Sequence, residues 1–192
     1  MPPAMRPSAL ILSASAEAKE ASLTRLGART LIEAHVAAFR RAQLTEIAVV
    51  WRGDGHELPA GCGNVRVVLQ PEADATAFDS LVLGLFALDR APVLVLPSAT
   101  DLVDDDTLEM LVAEAHDVPH AFAIVPRFGD RHGHPVALLR AGVEAVVRDA
   151  AQRPGLHRLD RLLASWPSVR PLDVCDEAVA RLFPRPQTRS RP

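Results

Sequence analysis

Short apolar runs alternate with helical patterns along the whole of this chain, and that alternation restricts its fold more than any other feature. The strand-like runs are Ala9–Ser13, Glu46–Trp51, Val65–Leu69, Val93–Leu96, Ala121–Val125, Val136–Leu139 and Val169–Val174. Several are nearly continuous Val, Ile, Leu or Ala, the composition of strands covered on both faces. Strands that alternate with helices form a layered α/β sheet with right-handed crossovers. In such sheets ligands sit at the carboxyl ends of the strands, which directs attention to the loops after the first, third and fourth runs.

Two helix starts can be read directly. Thr30 with Glu33 and Thr76 with Asp79 have capping-box spacing: the threonine oxygen accepts from a first-turn amide while the acid reaches back. Leu31, Ile32, Val36 and Phe39 then form one apolar stripe, and Phe78, Leu81, Val82, Leu85 and Phe86 form another. Further helices are predicted from Asp104, over Ala141–Asp149, over Leu156–Ser165 and, as a short closing element, over Glu177–Leu182. The stretch Ser13–Lys19 reads as a loop of small residues. From Pro184 to Pro192 the proline- and arginine-rich tail lacks apolar periodicity and reads as disordered, leaving residues 1–183 as a single domain.

Composition narrows the class. With 192 residues, 48% of them apolar, the chain can bury a sizeable core. A net charge of −3 with both signs scattered offers no basic stripe, so neither a nucleic-acid partner nor a membrane surface is expected. Cys62 and Cys175 are the only cysteines and have no metal or disulfide spacing, which fits a cytoplasmic setting. "ALILSASA" is broken by serines and reads as a strand rather than a signal peptide.

Four segments carry polar groups that could do chemistry. Asp104, Asp105 and Asp106 read as carboxylates at a helix N-terminus, and Asp101 stands apart from them as a candidate metal ligand. "RHGHPV" places His132 and His134 on one face of an extended chain, but no further ligands lie nearby in sequence, so Gly133 and Pro135 read as a turn into the next strand. Asp79 and Ser80 open an apolar helix as either a cap or a ligand contact. The Ser13–Lys19 loop lacks the glycines that let amides approach a phosphate.

Taken in order, "ALILSAS", "GARTLIEAHVAAFRRAQLTEIAVV", "FDSLVLGLFAL", "PVLVLPSATDLVDDDTLEMLV" and "GHPVALLR" resemble the MobA-like or MocA-like nucleotidyltransferases, which include the molybdenum cofactor cytidylyl- and guanylyltransferases. The resemblance runs from Ser8 to Phe183, with Gly-His-Pro-Val its most specific match. It implies a Rossmann-like, three-layer α/β/α domain of GT-A-like type with a mostly parallel sheet. It also implies a nucleoside triphosphate bound with Mg2+, and transfer of the nucleotide to a phosphorylated acceptor such as a molybdopterin-type cofactor.

Carried over residue by residue, the resemblance places Leu12, Ser13, Ala14 and Ser15 in the nucleotide loop and Lys19 and Arg25 on the triphosphate. Asp79, Ser80, Gly133, His134 and Pro135 fall around base and acceptor, and Asp173 on the metal, with Asp176 as its alternative and Asp101 as the shifted candidate for the second metal carboxylate. The departures fall on the same residues. Ser15 stands for the first loop glycine, Ala21 for the second, and Lys19 for an arginine, which loses the planar fork that grips phosphate. Ala99 stands where the family has a metal aspartate. On an extended chain Asp101 would lie roughly 6–7 Å further along. These departures imply weakened activity; the alternative is an inactive member that binds a nucleotide, a cofactor or a protein partner.

Overall fold

The computed structural model describes residues 7–13, 15–53, 57–70, 75–88, 91–152 and 158–183. In chain order the elements are β1 (Ser8–Ser13), α1 (Ala16–Ser22), β2 (Arg25–Leu26), β3 (Arg29–Thr30), α2 (Leu31–Arg41), β4 (Ile47–Arg52), β5 (Arg66–Gln70), α3 (Ala77–Phe86) and β6 (Val93–Pro97). They continue as α4 (Asp105–Asp117), β7 (Ala123–Phe128), β8 (Arg131–His132), β9 (Val136–Leu138), α5 (Arg140–Gln152), α6 (Leu159–Ser165) and β10 (Val169–Asp173). Short 3-10 turns lie at Ala60–Cys62 and Glu177–Ala180.

The main sheet runs β10-β7-β9-β6-β1-β4-β5, with β8 folded onto β7. Strands β5, β4, β1 and β6 are mutually parallel, as are β7 and β10, whereas β9 is antiparallel to both of its neighbours. From β1 the chain steps outward through β4 to β5, then returns to place β6 on the other side of β1. The crevice between β1 and β6 is therefore the topological switch point.

The nearly continuous apolar strands follow from burial on both sides. Ile11, Val49 and Leu94 face α2 and α4 through Ile32, Val36, Phe39, Leu108 and Leu111. Their immediate neighbours Leu10, Val50 and Val95 face α3 and α5 through Phe78, Leu81, Leu85 and Val146. The two-residue period of a strand thus feeds two separate apolar layers. Gly84 lets α3 lie close on the sheet: a Cβ there would meet Leu10 Cδ1 at 2.4 Å.

Both capping boxes form, at Thr30 with Glu33 and at Thr76 with Asp79. Asp104 takes the N-cap position of α4, with Asp105 and Asp106 in its first turn.

Three expectations change. The small-residue loop through Lys19 is largely the helix α1, because "AEAKEA" is built of strong helix formers and Ser15 Oγ caps it by accepting from Ala18 N at 3.0 Å. The closing helix shrinks to the 3-10 turn at Glu177–Ala180, since the next residues pair with another segment instead: Leu182 bridges Thr100, and Phe183 N donates to Ala99 O at 2.7 Å. The third is the set of elements, since the two-residue hairpin strands β2, β3 and β8 join the predicted ones. The expected start of a helix at Leu156 and the tail from Pro184 lie outside the described residues.

Candidate functional site

Leu12 and Pro97 are register partners at the carboxyl ends of β1 and β6. Above them opens a cavity of about 630 Å³. Val95 and Val136 add to its apolar floor, Thr76, Ala77 and Phe78 bring the first turn of α3 to one wall, and Gly133 and His134 form another. His132, Arg158 and Asp160 also line it. An apolar chamber with few polar groups at a switch point has the form of a small-molecule site.

The α3 wall is held by local bonds. Asp79 Oδ2 accepts from Thr76 N at 2.8 Å and from Thr76 Oγ1 at 2.7 Å, and Ser80 Oγ donates to Thr76 O at 3.1 Å. Asp79 and Ser80 are thus bonded at the helix start.

The opposite wall is fixed by backbone. Gly133 N donates to Pro126 O and His134 N to Val179 O, both at 2.8 Å, and the His134–Pro135 peptide is cis. Burial pushes the His134 imidazole down to about 4, against a weaker opposite pull from the Val95 backbone, so the ring is neutral near pH 7. His35 was not singled out by the sequence. It is buried on α2, its Nε2 lies 3.1 Å from Thr100 O, and burial likewise lowers it to about 4. An isolated histidine on a helix gives no signal of such a distant carbonyl.

The expected phosphate loop is engaged with its own chain. Ser13 is fully buried and its Oγ lies 2.7 Å from Ser22 Oγ, which itself donates to Ala18 O at 2.7 Å. Lys19 Nζ donates to the Glu57 carboxylate and, at 3.1 Å, to Arg52 O, and it stands 5.4 Å from the centre of the Trp51 ring. Arg25 is exposed on the β2–β3 hairpin, where Nη1 donates to Ala28 O at 3.3 Å. Ala14 lies outside the described residues.

After β6 the chain does not stay extended. Thr100 N donates to Pro97 O at 2.9 Å and closes a turn through Ala99. Asp101 Oδ1 then accepts from Leu102 N at 2.9 Å, and its Oδ2 pairs with Arg181 Nε at 3.6 Å.

Asp173 faces its register partner Arg127, which donates through Nε at 2.7 Å and Nη2 at 3.1 Å. That guanidinium holds the Asp173 carboxyl below its ordinary value. Asp176 is a cap as well: Oδ1 accepts from Ala178 N at 2.9 Å and Oδ2 from Asp104 N at 2.8 Å. Among the described residues no group of three His, Cys, Asp or Glu side chains is placed to hold a metal ion. The sequence reading did not include Arg127 or Arg181, and their partners are 46 and 80 residues away, too far for any spacing rule.

The sequence matches the family model of the MobA-like NTP transferase domain over residues 19–169. No curated protein matches it. Among solved structures it is similar to Rv0371c from Mycobacterium tuberculosis H37Rv, with TM-score 0.72, 19% identity and 89% of each chain covered. The complex of Rv0371c with manganese matches at TM-score 0.69 and 22% identity, over 88% of this chain and 89% of that one. A third similar structure, 2-C-methyl-D-erythritol 4-phosphate cytidylyltransferase from Thermus thermophilus, gives TM-score 0.69 and 24% identity with 95% of each chain covered. At these identities the structural likeness establishes a shared fold.

Proposed function

This chain belongs to the MobA-like NTP transferase family, and on that premise we propose that it binds a nucleoside triphosphate at the β1–β6 switch point and transfers its nucleotidyl group. The observation that supports this reading is the cavity above Leu12 and Pro97, of about 630 Å³ and walled by the start of α3 and by Gly133–His134. In the transfer, a phosphate oxygen of the acceptor forms a bond to the α-phosphorus, the α–β bridge breaks, and pyrophosphate leaves with the electron pair. The acceptor is proposed to be a phosphorylated cofactor of molybdopterin type or similar. Positioning and charge neutralisation supply most of the acceleration in such a displacement.

In this reading Leu12, Gly133, His134 and Pro135 surround the nucleoside, Ser13, Ala14 and Ser15 are proposed nucleotide contacts, and Asp79 and Ser80 hold the start of α3. Lys19 and Arg25 are proposed to meet the triphosphate. Activity is proposed to be weak, since Lys19 must first leave the Glu57 carboxylate and Arg52 O.

Mg2+ is the cation that the family reading calls for, with Asp101 and Asp173 as its ligands. As they stand these residues do not fit a divalent ion held by the chain, because each carboxylate is paired with an arginine of the same chain.

A second reading is a catalytically inactive member that binds a nucleotide, a cofactor or a protein. The engagement of Lys19 favours it. Among the described residues no helix is long and apolar enough to cross a membrane. A cytoplasmic setting is proposed from the two free cysteines, Cys62 and Cys175, and no nucleic-acid partner is proposed given the net charge of −3.

Calorimetric titration with CTP, GTP and ATP, each with and without Mg2+, tests the reading. Binding of at least one supports it, and no heat with any nucleotide in either buffer overturns it. Pyrophosphate release in the presence of a phosphorylated pterin then separates the active from the inactive member.

A further inference from the structure

We propose that Arg181 and Arg127 take the place of a divalent cation at Asp101 and Asp173, so that this chain binds a nucleoside triphosphate without a metal. The inference rests on the nucleotide-binding reading and adds to it how charge is balanced at the site.

Asp173, on which the resemblance places the metal, and Asp101, two residues beyond the family's aspartate position at Ala99, each carry a guanidinium partner. The Asp101 pair is set by backbone as well as by charge. Asp101 N donates to Arg181 O at 3.0 Å, Thr100 bridges Leu182, and Phe183 N donates to Ala99 O at 2.7 Å. This lays the segment carrying Arg181 along the turn that follows β6. Glu177 holds the same guanidinium from the other side, its Oε2 3.5 Å from Arg181 Nη1, and is itself held through Oε1 by Arg131 Nη2 at 3.0 Å. Arg127 and Asp173 are opposed by strand register, so their bidentate contact follows from the pairing of β7 with β10.

These partly exposed pairs add little to stability. Their consequence is electrostatic. A dication that takes one of these carboxylates must sit beside a fixed positive charge, and at a few ångströms in water that repulsion costs about 30-fold in affinity. Ala99 compounds the effect, because a methyl group stands where the family has a metal aspartate.

Two titrations of the full chain test this. In the first, Mn2+ alone is titrated and followed by electron paramagnetic resonance. The wild-type protein is expected to bind at least 30-fold more weakly than the Arg127→Gln, Arg181→Gln double variant, whose melting curve reports its folding. In the second, CTP, GTP and ATP are titrated into wild-type protein in EDTA and in Mg2+, and affinities within twofold of each other are expected. This arm needs no variant. Wild-type Mn2+ binding as tight as that of the double variant overturns the inference, as does nucleotide binding that requires Mg2+; the latter leaves the nucleotide-binding reading standing. Absence of nucleotide binding in both buffers overturns the two together.

Discussion

Gly133 approaches the carbonyl of Val179 so closely that a Cβ on it would lie 2.1 Å from that oxygen. The same carbonyl accepts from His134 N at 2.8 Å, so the wall of the cavity and the 3-10 turn at Glu177–Ala180 are held by one contact. Gly133→Ala must push the two apart. The expected cost is about 1–3 kcal/mol, the range for an extra methyl in a packed site. Urea unfolding measures it, and nucleotide titration of the same variant is expected to show weaker binding because His134 moves with its neighbour.

Stability is expected to fall as pH falls from about 6.5 to about 4. His35 and His134 are both lowered to about 4 by burial, whereas in the unfolded chain they take their ordinary value of 6.5. Within that window the unfolded chain binds protons that the folded chain does not, so acid favours unfolding. Each histidine accounts for roughly 3 kcal/mol across the whole window, at 1.36 kcal/mol per unit. Urea unfolding at pH 7 and at pH 4.5 checks this, and His35→Gln is expected to flatten the profile by about half.

Removal of Glu57 takes away the carboxylate partner of Lys19 and leaves its bond to Arg52 O. Glu57→Ala is expected to tighten triphosphate binding by about fivefold, the value of one unit charge a few ångströms away in high dielectric. The gain should shrink with added salt, as an exposed interaction does. Unchanged affinity for CTP, GTP and ATP would show that Lys19 does not reach the phosphates.

Ala77 is exposed in the first turn of α3 and lines the cavity. Ala77→Trp is expected to fill the chamber and lower nucleotide affinity tenfold or more, about 1.4 kcal/mol, while the melting temperature stays close to that of the wild type. Full affinity in this variant would place the nucleotide elsewhere.

What could be read ahead of the structure was local. Thr30 with Glu33 and Thr76 with Asp79 announced their helices, since a capping box is complete within four residues. The strand cores at Leu10, Val49, Leu94 and Ile124 were legible because burial on both faces demands apolar side chains at consecutive positions. The helix α1 escaped a reading that weighed the missing glycines above the helix propensity of "AEAKEA". In the candidate site, Leu12, Gly133 and His134 were singled out and line the cavity, whereas Asp79, Ser80 and Ser15 bond at the starts of their own helices and Ser13, at the end of β1, bonds to Ser22 of α1.

Sequence alone determined the layer architecture, because the periods of strand and helix are set residue by residue. It also exposed the replacements at Ser15, Lys19 and Ala99. Only the tertiary structure decided what those replacements left behind. Arg181 meets Asp101 across 80 residues, Arg127 meets Asp173 across 46, and Lys19 meets Glu57 across 38. Each meeting depends on which strands are neighbours and on where the chain turns after β6. Those are properties of the assembled sheet, and no spacing within one segment encodes them.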